Sequence, residues 1–371
     1  MPVPLLDLKA QFESIREEAM AAVLGVIESQ RFIMGEQVPQ LEQAIASLSN
    51  TGHGIACASG TDALLLPLKA LELKPEDEII TTPFSFFATA GTIANAGGKP
   101  VFVDIDPGTF NIDPDAVEAA ITPNTRGIVP VHLFGQMAQM ERMLRLAEQH
   151  GLVVIEDAAQ AIGARRKIAG EWKAAGELGW VSAFSFFPSK NLGGWGDGGM
   201  MVTSDGSLAA RLRLLRMHGG AKQYHHEEIG TNSRLDTLQA AVLLVKLGHL
   251  QDWAEGRRRQ AAAYDAALAE IDGVTTPPVE SANEHVYHQY TIRAERRDEL
   301  KEHLARCAVS CAVYYPKPLH LQPCFAQLGY VEGSFPVAEA ASREVLSLPV
   351  YPELTSDQRE TVVNAIGGFY T

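Results

Sequence analysis

The stretch "GIVPVHLFGQMAQMERMLRLAEQHGLVVIED" (residues 127–157) decides the fold class of this chain. It begins with an apolar run, continues with apolar residues at helical spacing, and ends in a second apolar run, GLVVIED (151–157). Both runs are rich in Val and Ile and show little alternation of apolar and polar residues, which is typical of strands buried on both faces. The order strand, helix, strand predicts two parallel strands of one sheet.

The same alternation extends over most of residues 50–205. The further strand-like runs are GIACAS (54–59), EIITT (78–82), PVFVDID (100–106), VSAFSF (181–186) and GMMVTS (199–204). We therefore predict an α/β fold with a mostly parallel central sheet and helices on both faces. Ligands of such sheets bind at the carboxyl ends of the strands, so the residues that follow each run are the candidates for a functional site.

The pattern changes after about residue 232. Residues 233–271 are typical of long helices, and strand candidates follow at HVYHQYTIRA (285–294) and SCAVYY (310–315). A helix is predicted between them at 297–306, and a final helix begins near residue 355. These elements predict a smaller C-terminal α+β domain. We place the large α/β domain, with an N-terminal helical segment, at residues 1–250 and the small domain at 251–371.

The composition argues against several classes of protein. The 371 residues include 31 Lys and Arg against 45 Asp and Glu, a net charge of −14, which disfavours nucleic acid or an anionic membrane as the main partner. No run of about 18 apolar residues is present, and the N-terminus carries charges where an export signal needs an apolar core. Four cysteines in a chain of this length are expected to be free thiols, without a metal site. We expect a cytoplasmic protein.

A candidate phosphate site follows the first strand, at ASGTDAL (58–64). Gly60 allows the backbone to approach a ligand closely, and Thr61 is the candidate cap of the next helix. Backbone N–H groups at a helix N-terminus beside a hydroxyl can bind phosphate. The same stretch is also typical of an ordinary strand–turn–helix connection.

Two carboxylates, Glu156 and Asp157, end an apolar strand in the stretch LVVIEDAAQAIGA (152–164). A carboxylate at this position costs free energy unless it has a partner. Asp157 could hold a protonated heteroaromatic nitrogen by a charge-assisted hydrogen bond, or it could cap a helix. Gln160 lies further along and could point to the same side.

A lysine follows a strand at FSFFPSKNLGGWGDGG (184–199), five residues after Ser185. A lysine displaced from water has a lowered pKa, and Lys190 in its free-amine form could bond covalently to an aldehyde. The glycines would let the backbone pass close to a bulky ligand. The alternative is an exposed surface turn.

Three aromatic residues follow the second strand in TTPFSFFATAGTI (81–93): Phe84, Phe86 and Phe87. Each could belong to the core, or one could stack on a planar cofactor. A phosphate-type helix start, an aromatic ring, an aspartate and a lysine at one sheet edge together meet the needs of pyridoxal 5′-phosphate (PLP). A nucleotide-binding Rossmann domain is disfavoured because no G-x-G-x-x-G follows the first strand.

With these motifs the chain resembles the DegT-type nucleotide-sugar aminotransferases, which have the fold type I, aspartate-aminotransferase-like architecture. The motifs that carry the resemblance occur in the family's order along the chain: ASGTDAL, TPFSFFATA, PVFVDIDPGTFNID, VHLFGQ, VIEDAAQAIGA, FSFFPSKNLGGWGDGG, RMHG, GTNSRLDTLQAA and YYPKPLHLQ. The family implies PLP as cofactor, L-glutamate as amino donor, and a homodimer with two shared active sites.

The resemblance also implies roles for individual residues. Lys190 resembles the Schiff-base lysine, Asp157 the partner of the pyridine nitrogen, Gln160 the contact near the 3-hydroxyl, and Phe86 the stacking ring. Phosphate contacts correspond to Gly60, Thr61, Ser185 and, from the neighbouring subunit, Asn232. Sugar-nucleotide contacts correspond to Phe32, Arg234, Tyr315 and His320. These four roles are implied by similarity to enzymes of 3-keto sugars linked to UDP or dTDP.

Three alternatives stay open at this stage. Phe32 stands where a Tyr is expected in the uronic-acid enzymes of the family, so an acidic sugar is not implied. The substrate could instead be a 4-keto sugar or a keto-inositol. The chain could also be a PLP-binding regulatory protein without turnover.

Overall fold

The computed structural model describes residues 2–222 and 224–371. Its main feature is a sheet of seven strands in the order β1-β9-β8-β5-β4-β2-β3. The strands lie at β1 (His53–Cys57), β2 (Glu78–Thr81), β3 (Lys99–Phe102), β4 (Thr125–Val129), β5 (Val153–Asp157), β8 (Val181–Ser185) and β9 (Gly199–Thr203). The contacts β3-β2, β2-β4, β4-β5 and β5-β8 are parallel, and β9 runs antiparallel between β8 and β1. The predicted mostly parallel sheet is confirmed, and each of the seven strands predicted for it is present.

Successive residues of the central strands enter two different apolar cores, because side chains alternate across a strand. Ile80, Val154 and Met200 contribute to one core, which also includes residues of the helices α2 (Gln37–Leu48), α6 (Met140–His150) and α8 (Thr237–Leu268). Their chain neighbours contribute to the other core, which includes residues of the helices α3 (Gly60–Ala70), α4 (Ala88–Asn95) and α7 (Gly206–Leu215). Helices therefore cover both faces, as the near-continuous apolar runs predict.

The helices lie at α1 (Leu8–Ser29), α2 (Gln37–Leu48), α3 (Gly60–Ala70), α4 (Ala88–Asn95), α5 (Pro114–Ala120), α6 (Met140–His150), α7 (Gly206–Leu215), α8 (Thr237–Leu268), α9 (Arg297–Arg306), α10 (Pro336–Glu344) and α11 (Ser356–Tyr370). Among the residues described, no helix is both long and apolar enough to cross a membrane.

The C-terminal part contains a three-stranded sheet, β10 (Val274–Thr275), β12 (Tyr290–Ala294) and β13 (Val345–Leu348), in the order β10-β12-β13. The predicted helices α9 and α11 are confirmed. The strand predicted over 285–294 begins only at Tyr290. The strand predicted over 310–315 is wrong: both edges of β12 are already paired with β10 and β13, and this segment joins β13 only through a bridge from Ala312 to Ser347.

The helix α8 packs against both parts of the chain. Leu243 and Leu250 belong to the core of the large sheet, whereas Tyr264 and Leu268 belong to a separate apolar core with β12, β13 and α11. The division at residues 250 and 251 falls within this helix, close to where its contacts change. We retain residues 1–250 and 251–371 as the proposed domains.

A further small sheet has the order β11-β6-β7 and was not predicted. It combines β6 (Arg165–Ile168), β7 (Glu171–Ala174) and β11 (Asn283–Glu284). The hairpin between β6 and β7 turns at Ala169 and Gly170, which both have positive φ, as a tight hairpin turn requires. This sheet joins the region after β5 to the segment that leads into the C-terminal strands.

Candidate active site

A cavity of about 420 Å³ lies at the carboxyl ends of the parallel strands. The segments after β1, β2, β5 and β8 contribute to its wall, as the order of the sheet predicts. The C-terminal part closes another side of the cavity with His288, Gln289, Tyr314 and Tyr315. Of the predicted site residues, eight line this cavity: Gly60, Thr61, Phe86, Asp157, Gln160, Ser185, Lys190 and Tyr315.

The candidate phosphate site lies where the start of α3 packs against the end of β8. A Cβ atom placed on Gly60 would lie 2.6 Å from the Ser185 Cβ, so only glycine fits here without displacement. The predicted cap was Thr61, but the N-cap is Ser59, whose Oγ accepts from the Asp62 N–H at 3.1 Å. Thr61 stands one residue inside the helix and is exposed, so its hydroxyl is not used by the cap. The helix start thus offers N–H groups beside two hydroxyls.

Asp157 ends β5 with a buried carboxylate. No helix follows it, so the alternative of a helix cap is wrong. The Thr89 hydroxyl donates to Oδ2 at 2.7 Å, and the Ala159 N–H donates to Oδ1 at 3.3 Å. Burial raises the pKa of Asp157 above its ordinary value, although these two donors and the Lys190 amine oppose the rise. A cationic partner in the cavity would therefore stabilise this carboxylate.

Glu156 points away from this cavity, to the other face of β5. Its carboxylate accepts from His132 Nε2 at 2.8 Å and from the backbone N–H groups of Gly176, Leu178 and Gly179. Burial by itself would raise the pKa of Glu156, but these donors lower it below its ordinary value. Of the two carboxylates that the sequence delivers to this strand end, only Asp157 is available to a ligand.

Lys190 lies in the cavity wall and not on a surface turn. Burial lowers its pKa to about 8, against the opposing charge of Asp157. The loop after it folds back so tightly that a Cβ on Gly193 would lie 2.2 Å from the Pro188 carbonyl oxygen. With its pKa lowered to about 8, roughly a tenth of Lys190 is the free, nucleophilic amine at pH 7, far more than for an exposed lysine.

Gln160 joins the sheet edge to the C-terminal part. Its Oε1 accepts from the Phe134 N–H at 2.8 Å, and its Nε2 donates to the Tyr315 hydroxyl oxygen at 3.0 Å. Burial raises the pKa of Tyr315, so its hydroxyl stays neutral and keeps its own proton to donate.

The three aromatic residues after β2 have different environments. Phe84 is fully buried and packs edge-on against Tyr315, with 6.0 Å between ring centroids. Phe86 lines the cavity and is 57 % exposed. Phe87 packs on Phe325 and is absent from the cavity wall. Phe86 is thus the ring available to a planar ligand.

Four predicted site residues lie outside the cavity wall: Phe32, Asn232, Arg234 and His320. Phe32 lies at the start of α8, because its carbonyl accepts from the Thr237 N–H at 2.9 Å. His320 is buried elsewhere, with its Nε2 3.0 Å from Glu339 Oε1.

Several cavity residues were not predicted from the sequence. Ser85 donates to the Thr89 hydroxyl oxygen at 2.9 Å, because the Thr89 proton goes to Asp157. Tyr314 and His288 come from the C-terminal part. Ser85 and Thr89 lie within the stretch that was examined for its aromatic rings, and their spacing of four residues was the available signal. Nothing in the local pattern around His288 indicates its position.

The cavity combines a lysine amine, a buried carboxylate and a phosphate-type helix start. The amine can form a covalent bond to an aldehyde, the carboxylate can hold a cation, and the helix start can hold an anionic group. Among residues 2–222 and 224–371, no group of three or more His, Cys, Asp or Glu side chains is placed to hold a metal ion.

Comparison with known proteins gives matches along nearly the whole chain. A Geobacillus stearothermophilus protein named pleiotropic regulatory protein is 54 % identical over 372 residues, covering 100 % of this chain and 99 % of that protein. The UDP-N-acetyl-3-dehydro-α-D-glucosamine 3-aminotransferase of Acidithiobacillus ferrooxidans is 44 % identical, covering 98 % and 97 %. The crystal structure of S. venezuelae DesV in complex with a ketimine intermediate superposes with a TM-score of 0.96 at 43 % identity, covering 100 % and 98 %.

The family indicated by the sequence motifs is therefore confirmed. Residues 13–367 match the family description, which leaves only short stretches at the two ends. This chain belongs to the DegT/DnrJ/EryC1/StrS aminotransferase family.

Proposed function

We propose that this protein transfers an amino group from L-glutamate to a 3-keto nucleotide sugar, linked to UDP or dTDP, with PLP as cofactor. The products are the amino sugar nucleotide and 2-oxoglutarate. The observation that carries the proposal is that Lys190, Asp157 and the Gly60 helix start share one cavity. The A. ferrooxidans relative, named as an aminotransferase of a UDP-linked 3-dehydro sugar, supports the substrate class.

The cavity residues fit PLP. Because Gly60 has no Cβ, the start of α3 packs directly against Ser185, so its backbone N–H groups and the Thr61 and Ser185 hydroxyls would meet at one phosphate. Asp157 would hold the protonated pyridine nitrogen, and Lys190 would hold the aldehyde. When bound, PLP supplies an electron sink that stabilises negative charge on the carbon beside the transferred nitrogen.

Two neighbours would complete the binding of the ring. Phe86 would cover one ring face, for which its exposure in the cavity leaves it free. Gln160 would contact the 3-hydroxyl while its amide is held in place by Phe134 and Tyr315. Both residues would orient the group without taking part in proton transfer.

Lys190 would also move the proton. As a free amine, Lys190 would take the proton from the Cα of the amino donor and would then deliver it to the carbon on the other side of the transferred nitrogen. The pKa of Lys190, lowered by burial to about 8, suits both roles, because both forms are populated near neutral pH. With the keto sugar Lys190 performs the same two transfers in the opposite order.

We further propose a homodimer in which Asn232, Arg234 and Phe32 reach the partner's cavity. All three lie outside the cavity of their own chain, and Asn232 is exposed. The Arg234 Nε is buried and has no hydrogen-bond partner among the described residues. Large apolar side chains are exposed nearby on and after α1: Met20, Leu24, Ile27, Ile33 and Met34. An apolar surface of this kind is typical of an interface. Nucleic acid and membrane are not proposed as partners.

The proposed compartment is the cytoplasm. All four cysteines are free, with Cys57 buried and Cys307 and Cys324 exposed. Exposed free thiols are typical of proteins from reducing compartments.

A regulatory protein without turnover is the second candidate, because the G. stearothermophilus relative is named as a regulatory protein. The absorbance spectrum of the protein distinguishes the enzyme from the regulator. Purified protein with PLP should show a visible absorbance band that borohydride traps on Lys190, and L-glutamate should convert it to the spectrum of the amine form of the cofactor. A band that glutamate leaves unchanged would favour a regulatory protein without turnover. The absence of any band would refute the proposal that the protein binds PLP.

The sugar is tested with a panel of keto substrates. Glutamate-dependent amination of 3-keto sugars linked to UDP and dTDP is compared with that of 4-keto sugars and keto-inositols. Turnover restricted to the 4-keto sugars or the inositols would overturn the proposed substrate and leave the cofactor chemistry intact.

A further inference from the structure

His288 lies in the cavity wall and is joined to the residue that follows Lys190. It is buried, and its Nδ1 is 3.2 Å from the Oδ1 of Asn191. The Asn191 amide also donates from Nδ2 to the Val286 carbonyl oxygen at 2.8 Å. The segment before β12 thus holds the residue beside Lys190 at two points.

These contacts fix the tautomer of His288. Because Asn191 Nδ2 donates to Val286, its Oδ1 is the atom that faces His288, and an oxygen can only accept. His288 Nδ1 therefore carries the hydrogen, and Nε2 carries the lone pair. Burial lowers the pKa of His288 well below its ordinary value, with further lowering by the positive charges of Lys190 and Arg257. The ring is therefore neutral, and its Nε2 can accept a hydrogen bond. Nε2 has no hydrogen-bond partner among the described residues.

The backbone around His288 is held rigidly. The Val286 N–H donates to the Gly135 carbonyl oxygen at 3.1 Å, and the Gln289 N–H donates to that of Phe134 at 3.3 Å. Arg257 donates from Nη1 to the Tyr287 carbonyl oxygen at 3.1 Å. The position of the Nε2 lone pair is therefore set before any ligand binds.

A lysine released from the cofactor needs such an acceptor. The Asp157 carboxylate already accepts from Thr89 and Ala159, and the proposed function assigns it to the pyridine nitrogen. Within the described cavity wall the one other carboxylate is Asp197, which is exposed. His288 Nε2 is a neutral acceptor on a buried side chain in the same cavity wall as Lys190, and it has no hydrogen-bond partner among the described residues.

We propose that His288 is a positioning residue, whose Nε2 accepts a hydrogen bond from the Lys190 amine while that amine transfers the proton. This inference rests on the proposed function. A neutral acceptor orients the amine without the strong rise in pKa that a second carboxylate would cause. The amine can then both take and return the proton.

Two isosteric variants separate this role from a structural one. The His288→Gln side chain places an amide at the Nε2 position and gives up the bond to Asn191, whereas that of His288→Asn keeps the Asn191 bond and gives up Nε2. Single-turnover rates are measured for glutamate and for the keto sugar. We expect His288→Asn to slow both by roughly 10- to 100-fold, less than the full contribution of about 10²- to 10⁴-fold from general acid–base catalysis because Lys190 itself remains, with KM little changed. His288→Gln should stay within about fivefold of wild type.

The isotope effect of α-deuterated glutamate gives a second readout. It should increase in His288→Asn, because proton abstraction becomes more rate-limiting. The opposite order, with His288→Gln slow and His288→Asn like wild type, would show that His288 only holds Asn191 and would overturn the proposal. A rise in KM without loss of rate would also overturn it.

The proposal can also be tested without a His288 variant. In protein labelled with ¹⁵N-histidine, His288 should show a protonated Nδ1 and an unprotonated Nε2, and the Nε2 shift should move in Lys190→Ala. A protonated Nε2 would overturn the proposal even if both variants failed to fold. Wild-type protein without glutamate-dependent conversion would refute the proposed function and this inference together; with conversion present, the variants decide on His288 alone.

Discussion

The Nε2 of Gln160 lies 3.0 Å from the hydroxyl oxygen of Tyr315 and joins the end of the central sheet to the C-terminal part of the chain. The orientation of the amide is settled because Oε1 already accepts from Phe134 N–H. Tyr315 therefore receives a hydrogen bond from the residue proposed to contact the cofactor, and its own proton is available to the substrate. One hydrogen bond links the proposed cofactor side of the cavity to the proposed sugar side.

Tyr315→Phe should selectively weaken the sugar half of the reaction. Removal of the hydroxyl deletes one donor to the sugar, and a lost hydrogen bond of about 1–1.5 kcal/mol corresponds to roughly a tenfold fall in kcat/KM for the keto sugar. The rate with glutamate should differ from that of wild type by no more than about twofold to threefold, which corresponds to only part of the energy of one hydrogen bond. Tyr330→Phe is the matched control, since Tyr330 lies outside the cavity wall. Equal losses with both substrates would place Tyr315 on the cofactor.

Lys190→Ala should abolish transamination and the visible band of the covalently held cofactor. The protein should still bind PLP without a covalent bond, because Asp157 and the Gly60 helix start are unchanged. Absorbance spectra and borohydride trapping measure the link, and product formation from glutamate measures turnover. Lys173→Ala is the control: Lys173 pairs with Glu171 and Glu177 away from the cavity. Turnover retained in Lys190→Ala would remove this residue from the mechanism.

Gly60→Ala should weaken cofactor binding more than folding. The new Cβ would lie 2.6 Å from the Ser185 Cβ and would push the helix start away from the phosphate position. We expect the Kd for PLP, measured by titration, to rise by at least about tenfold, or about 1.4 kcal/mol. Gly248→Ala is the matched control, because its Cβ would meet no atom within 4 Å in α8. An unchanged Kd in Gly60→Ala would show that the phosphate lies elsewhere.

The central sheet was predictable because its strands are buried on both faces. Such strands read as short Val- and Ile-rich runs, and the helices between them leave a parallel sheet as the consistent arrangement. The β6–β7 hairpin was missed because its strands, RRKI and EWKA, are charged and half exposed. The strand β13 was missed because SCAVYY was a stronger β-type pattern, whereas pairing is decided by the free edge of β12.

The site was predictable where a residue ends a strand, as Asp157 and Ser185 do. His288 belongs to a segment 98 residues beyond Lys190 and reaches the cavity through Asn191, a contact between distant parts of the chain. The bonds of Gln160 and Thr89 are also set by tertiary packing. The helix cap was assigned to Thr61 because both Ser59 and Thr61 are good caps, and only the point where β1 ends decides between them.

Glu156→Gln should destabilise the protein strongly without changing the cavity residues. The Glu156 carboxylate accepts from His132, from three backbone N–H groups and from the Ser182 hydroxyl, and an amide would turn its NH₂ group toward some of these donors. Breaking such a buried, charge-assisted network costs about 3 kcal/mol or more in the free energy of unfolding. The lowered folded-state pKa of Glu156 sets the pH dependence. Its stabilising contribution is complete above the unfolded value of about 4.3 and is lost as pH falls toward the folded value.

The comparison uses Glu148→Gln, an exposed glutamate near the end of α6. Urea unfolding at pH 7 should show the full loss in Glu156→Gln and little change in the control. As the pH is lowered below about 4, the difference between wild type and Glu156→Gln should shrink, because protonation removes the charge from wild type as well. A difference that stayed constant down to pH 2 would mean that the charge of Glu156 does not contribute and that shape alone explains the loss. Equal stability of both variants at pH 7 would contradict the role assigned to this carboxylate, which is to hold the segment between β7 and β8 through its backbone N–H groups.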